Sequence, residues 1–164
     1  CMIMKQNLSS LDLKKDIYYH ISTAIYGLLV AQNQEKESVV KNVYFANDEQ
    51  GFFYIFAYQT PETSKIAFDF PAIFSICKEE EIASDTIEVI AHGKLQKIDT
   101  QSEEYKKGLA LFEEKSPFLG NLPWLSHSKN YQMLSFNPYQ ISFQPMKNER
   151  SGKKPFILNK IEGE

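Results

Sequence analysis

The stretch Phe52-Phe53-Tyr54-Ile55-Phe56-Ala57-Tyr58 and the polar run behind it, Gln59-Thr60-Pro61-Glu62-Thr63-Ser64-Lys65, decide how the rest of the chain is read. The first reads as a strand whose alternating faces are both aromatic or apolar, a pattern that predicts cover on both sides, as in a closed barrel. The second is a turn leading into a short helix over Lys65 to Phe70, which Pro71 stops.

Upstream of that pair, Ser22 to Ala31 and Ser38 to Ala46 read as strands separated by the polar loop Gln32 to Glu37. Asn47-Asp48-Glu49-Gln50-Gly51 is a hairpin connection into the aromatic strand. Residues 9–20 open as a helix capped by Ser9, with Asp12 at the capping-box position and Leu13, Ile17 and Ile21 on one face. Downstream, Ala72 to Lys78 is a fourth strand, and Glu79-Glu80-Glu81 is a solvated acidic loop. Ile87 to Ile98 alternates as a fifth, with Ile87, Val89, Ala91, Gly93 and Leu95 on one face and His92 on the other. A second helix spans Thr100 to Lys115, with Thr100 and Glu103 as a capping pair and Tyr105, Leu109 and Phe112 as its stripe. The loop Ser116 to Ser128 carries Trp124, the only tryptophan. Tyr131 to Phe136 and Gln140 to Phe143 close the sheet, broken by the turn signal Asn137-Pro138. A basic tail, Lys147 to Lys154, precedes a short edge strand, Pro155-Phe156-Ile157-Leu158.

Short antiparallel strands with a few interposed helices predict a mainly β chain folded as a barrel, not a doubly wound sheet. With 164 residues, one domain is expected, its core over about 9–145 and its tail over 146–164. Twelve Phe and nine Tyr lean the composition the same way, toward sheet. A net charge of −3 offers no basic field for nucleic acid, and no apolar run reaches the ~20 residues of a membrane span. The opening Cys1-Met2-Ile3-Met4-Lys5 lacks the apolar centre of a secretory signal, and Cys77 is the one internal cysteine, so a reducing cytoplasm is the expected location.

The familiar catalytic signatures are missing: no Gly-rich nucleotide loop, P-loop, CxxC pair, HExxH or GxSxG elbow. No two of His20, His92 and His127 stand at ligand-like spacing, so no metal site is expected. What remains is the turn. Thr60, Thr63 and Ser64 place hydroxyls, and Lys65 an ammonium, at a helix start, where unpaired N–H groups favour an anion. A phosphate monoester fits that set, and so does plain helix capping.

The order of elements, from about Ser9 to Phe143, resembles the pyridoxamine-phosphate-oxidase-like, FMN-binding split-barrel superfamily. In that family a strand is followed by a Thr or Ser turn and a Ser-Arg-Lys-like triplet. Here Phe52 to Tyr58 stands for the strand, Thr60 for the turn residue and Thr63-Ser64-Lys65 for the triplet. The resemblance implies a six-stranded antiparallel Greek-key split β-barrel with flanking helices. It implies a homodimer with FMN at the two-fold seam, the phosphate on Thr60, Ser64 and Lys65 and the ring along Asn42 and Tyr44, with Thr63, Tyr58 and Trp124 also among the expected cofactor-binding residues. The second helix and the Trp124 loop would reach the neighbouring subunit. Among family members the chain looks similar to small proteins with no assigned activity, which also carry an Asn-aromatic strand and a basic, glycine-containing C-terminal segment, here Asn42-Val43-Tyr44 and Ser151-Gly152-Lys153-Lys154.

Two departures bear on function. Ser64 stands where the family places Arg, which removes a charge-assisted bond worth about 1.5–3 kcal/mol of binding. The Arg-x-His element of the true pyridoxamine-phosphate oxidases has no match around Arg150, which argues against vitamin B6 oxidation. The leading expectation is a homodimeric FMN protein and, if an enzyme, an FMN-dependent oxidoreductase acting on a small acceptor. The alternatives are a non-catalytic split barrel for haem or another flat ligand, with His127 the better haem ligand, or for flavin storage or sensing, and a barrel without ligand that serves as an interaction domain.

Overall fold

The computed structural model describes residues 10–78, 86–115, 130–145 and 156–159. In chain order these form α1 (Ser10–Ser22), β1 (Tyr26–Gln32), β2 (Ser38–Asn47), β3 (Phe53–Tyr58), β4 (Ala72–Lys78), β5 (Ile87–Lys97), α2 (Glu103–Lys115), β6 (Tyr131–Pro145) and β7 (Phe156–Asn159). All ladders are antiparallel, in the order β3-β2-β1-β4-β5-β6-β7, and a further β3–β6 pairing closes β1 to β6 into a barrel. β6 makes the closure possible because it is 15 residues long. Its first part, Tyr131 to Phe136, pairs with β3, while Gln140 to Phe143 pairs with β7 beyond the end of β3. The expected six-stranded, mainly β barrel with flanking helices is the fold observed.

Alternation sends Phe45, Phe53, Phe74 and Phe136 inward, all fully buried, with neighbouring ring centroids 5.1 to 6.0 Å apart. At the end of the barrel where the β2–β3 hairpin lies, Ile17 and Ile21 of α1 complete this core. There Asp48 accepts the N–H groups of Gln50 and Phe52 at 2.9 and 3.0 Å, and Gly51 takes a φ of 87° that the tight turn requires. At the opposite end, Ile66 and Phe68 of the β3–β4 crossover pack in. Outside the barrel, α2 buries Phe112 against Ala46, Tyr54, Phe56 and Met133, with the Phe56 and Phe112 rings 4.6 Å apart. Gly108 lets the helix come this close, since a Cβ there would meet Met133 Sδ at 2.6 Å. Both faces of β3 are therefore covered, as its aromatic alternation predicts.

Four expectations need correction. α1 runs on to Ser22, so β1 begins at Tyr26; the Ser22 and Thr23 hydroxyls donate to the Tyr19 and His20 carbonyls at 2.6 and 2.8 Å and finish the helix instead of starting a strand. α2 begins at Glu103, not Thr100, because Ser102 is its cap: the Ser102 hydroxyl accepts the Tyr105 N–H at 3.1 Å, while Asp99 takes the Gln101 N–H at 2.9 Å. No helix covers Lys65 to Phe70. A single 3-10 turn, Thr63–Lys65, gives way at Ile66, and the Ala67 N–H donates to Gln32 O at 2.8 Å, drawing the chain onto the end of β1. Asn137-Pro138 does not break β6. Pro138 lies opposite Gly93 at a register shift, where the absence of a Cβ leaves room for it. The Ser9 cap, the run Glu79 to Glu81, Trp124 with its loop, His127 and the basic tail lie outside the described residues.

Candidate functional site

The outward half of the β2 and β3 side chains builds the site. Asn42 is exposed and Tyr44 half-buried on β2, and Tyr58 is exposed at the end of β3. Cross-strand register sets Tyr26 opposite Tyr44 and Tyr131 opposite Tyr58, with ring centroids 5.0 and 5.2 Å apart. The two pairs form one patch. A hydrogen bond with Tyr26, then burial, then the nearness of Tyr26 and Tyr131 push the Tyr44 phenol up. Burial and then Tyr58 push up that of Tyr131. Both phenols stay protonated at neutral pH, so the patch is a row of uncharged rings.

The β3–β4 crossover leaves from the end of this row. Thr60 and Thr63 cap each other: the Thr60 N–H donates to Thr63 Oγ1 at 2.8 Å and the Thr63 N–H to Thr60 Oγ1 at 3.1 Å. Thr63 is buried, and its hydroxyl donates to the Tyr58 carbonyl at 2.8 Å, tying the turn to the strand. Ser64 is exposed and donates its hydroxyl to Pro61 O at 3.0 Å. Lys65 is exposed. In the midst of these groups stands the Glu62 carboxylate, 3.9 Å from Lys41 Nζ. The Thr60 hydroxyl, the residue's own backbone N–H, Lys41 and Lys65, in that order, hold its carboxyl below the usual range. The turn is thus a surface that attracts negative charge, and in the free chain its own carboxylate is the anion.

The structure brings the predicted residues into two adjoining groups, Asn42, Tyr44 and Tyr58 on the strands and Thr60, Thr63, Ser64 and Lys65 in the turn. Trp124 lies outside the described residues. Sequence reasoning missed Tyr26, Tyr131 and Lys41. The two tyrosines reach the patch only through strand register, and Lys41, in phase with the inward Val39, Val43 and Phe45 of β2, is half-buried and reaches Glu62 of the crossover.

Next to the tyrosine row the outer face of the sheet stays apolar. Tyr26, Leu28 and Val40 are 57%, 37% and 50% exposed, and Val30, Ile73 and Ile90 beside them are half-buried. Among the described residues, no cluster of three or more His, Cys, Asp or Glu could hold a metal ion, and no helix is long and apolar enough to cross a membrane.

No protein-family model matches the sequence, and no curated protein matches it either. Solved structures do. ChuZ of Campylobacter jejuni superposes with a TM-score of 0.73 at 12% identity, over 97% of this chain and 64% of that one. A heme-binding protein of Mycobacterium smegmatis gives 0.70 at 10%, over 92% and 58%. A general-stress-protein-26-related protein of the pyridoxinephosphate oxidase family, from Clostridium acetobutylicum, gives 0.61 at 8%, over 92% and 96%. The chain therefore spans less than two thirds of the length of the first two. Sequence identity this low speaks for the fold alone, and the fold is that of the pyridoxamine-phosphate-oxidase-like split barrels.

Proposed function

We propose that this chain is a flat-ligand-binding split barrel that takes FMN, works as a homodimer, and uses the flavin for electron or hydride transfer to a small acceptor. The observation that carries this reading is the row of uncharged tyrosine rings running into a turn that attracts an anion. Such a pair suits a planar ring system bearing one phosphate. Tyr44, Tyr58 and Tyr131 offer a face for the ring, and Asn42 an amide to hydrogen-bond its polar edge. Thr60, Ser64, Lys65 and Lys41 offer a hydroxyl or ammonium to the phosphate, which would displace the Glu62 carboxylate. Thr63 serves by holding the turn in shape. Bound FMN supplies the two-electron chemistry, and the chain supplies position and electrostatics. The bare apolar face around Leu28 and Val40 supports pairing with a second copy, which would bring another protomer's surface next to the tyrosine row.

A second reading, haem in place of FMN, draws on the M. smegmatis heme-binding protein among the structural neighbours and on the tolerance of a tyrosine row for any flat ring. Titrating the ligand-free chain with FMN and with haemin separates the two. FMN uptake with quenched flavin fluorescence is expected, and Lys65→Ala should weaken it about tenfold, the worth of one exposed charge-assisted bond. Uptake that Lys65→Ala leaves unchanged removes the phosphate assignment, and a Soret band without flavin uptake replaces FMN with haem.

A further inference from the structure

Four of the chain's nine tyrosines stand in two cross-strand pairs, Tyr26↔Tyr44 and Tyr58↔Tyr131. Both pairs occupy the same kind of ladder position. The Phe45 N–H donates to Ile25 O at 3.4 Å and the Gln59 N–H to Asn130 O at 2.6 Å, so each tyrosine pair is one residue away from a hydrogen-bonded pair. Alternation makes both of them non-hydrogen-bonded pairs, the positions at which opposed side chains approach most closely. The rings nevertheless meet differently. Tyr58 and Tyr131 cross edge to face at 77°, which holds their π systems near perpendicular, where ring carbons overlap poorly. Tyr26 and Tyr44 are inclined by only 38° with centroids 5.0 Å apart, and their hydroxyls share a hydrogen bond. That bond holds the two hydroxyl-bearing carbons close and brings the ring carbon next to each toward its counterpart. A biphenol coupled through those carbons keeps the same hydrogen bond and a twist of the same kind, so little motion separates the pair from the coupled product.

We propose that Tyr26 and Tyr44 form an oxidative cross-linking site, at which a one-electron oxidant couples the two rings into a dityrosine that staples β1 to β2. A haem peroxidase charged with hydrogen peroxide is the class of oxidant that suits it. Tyr26, 57% exposed, gives up one electron and its phenolic proton. The half-buried Tyr44 passes a hydrogen atom along the hydrogen bond, which restores the Tyr26 phenol and leaves a radical on Tyr44. Oxidation of Tyr26 a second time puts a radical on each ring. The two unpaired electrons form a carbon–carbon bond between the positions ortho to the hydroxyls, and the hydrogens at those carbons move to the oxygens. The pair has then lost two electrons and two protons, which hydrogen peroxide takes up as it is reduced to two waters. The staple needs no cysteine and no ligand bound to this chain.

The test treats the full chain, dilute and without added ligand, with a haem peroxidase and limiting hydrogen peroxide, then maps tryptic peptides of the monomer band from a denaturing gel by tandem mass spectrometry. Dityrosine fluorescence is expected in that band, with peptide 16–36 joined to peptide 42–65 through Tyr26 and Tyr44 and two hydrogen atoms lost. This link should be several-fold more abundant than the one joining 42–65 to 130–147 through Tyr58 and Tyr131. A Tyr58–Tyr131 link of equal or higher yield overturns the proposal, as does a Tyr26–Tyr44 link that is absent or confined to a dimer band. Tyr26→Phe should remove most of the monomer-band fluorescence, and Tyr19→Phe, at the 68% exposed ring, should leave it in place. Fluorescence that is lost with Tyr19 and kept without the Tyr26 hydroxyl also overturns it, since exposure alone would then decide which rings couple.

Discussion

Two parts of the barrel's outer face are built alike and end differently. Over β2, β3 and β6, outward residues such as Tyr54, Phe56 and Met133 disappear beneath α2. Over β1 and β2, the outward Tyr26, Leu28 and Val40 remain in water. In both parts period-two alternation supplies apolar side chains to a face that a one-sided sheet would make polar. The helix turns the first into a second core. The second keeps its apolar surface, which a folded monomer gains nothing by exposing and an interface can use. An outward hydrophobic residue in this sheet has to be judged by whether α2 reaches it.

Three experiments break or sharpen that contrast. The largest effect is expected at the covered part: Phe112→Ala removes the ring stacked 4.6 Å from Phe56 and should lower the urea unfolding free energy by about 3–5 kcal/mol. A loss below about 1 kcal/mol would mean that α2 does not seal this face. Next comes the helix end. The Lys115 ammonium, which burial pushes down to about 7 in the folded chain, has an ordinary lysine value near 10.4 in the unfolded one, so the unfolded chain binds more protons between those values. Stability should therefore rise as pH climbs from 7 toward 10, by on the order of 3 kcal/mol, and Lys115→Met should flatten that rise. Above pH 10 the sign reverses, because burial and then Asp48 push Tyr18 up to about 12, so that the folded chain keeps a proton the unfolded chain gives up. The smallest effect on stability belongs to the bare part. Leu28→Glu should change the unfolding free energy by no more than about 0.5 kcal/mol, yet shift sedimentation of the proposed homodimer to that of a monomer. A dimer that survives this change is held together elsewhere.

How much of this was legible in the sequence depended on how local the cause was. The alternation of Phe52 to Tyr58 announced a strand covered on both faces, because each side chain's face follows from its neighbours alone. Glycine at position 51 marked the hairpin for the same reason. The errors arose where local rules competed. Ser22 and Thr23 can begin a strand or close a helix, and the choice fell to carbonyls one turn back. Pro138 normally stops a strand and does not here, because Gly93 stands opposite it on another strand. At the site, Thr60 to Lys65 was readable as a contiguous group of hydroxyls and charge. The meeting of Tyr26, Tyr44, Tyr58 and Tyr131 was not, since four strands must first find their register.

The length of β6 also governs how the molecule is made. Before β6 emerges from the ribosome, β3 and β5 are the two raw edges of an open, curved sheet, and one later strand must zip to both of them. The pairs Phe53↔Phe136 and Tyr58↔Tyr131 tie together positions far apart along the chain, which places folding among the slow, topology-limited cases. A nascent chain halted before Tyr131 would carry Phe53 to Tyr58 as an unpaired aromatic edge, the kind of surface that chaperones hold and aggregates recruit.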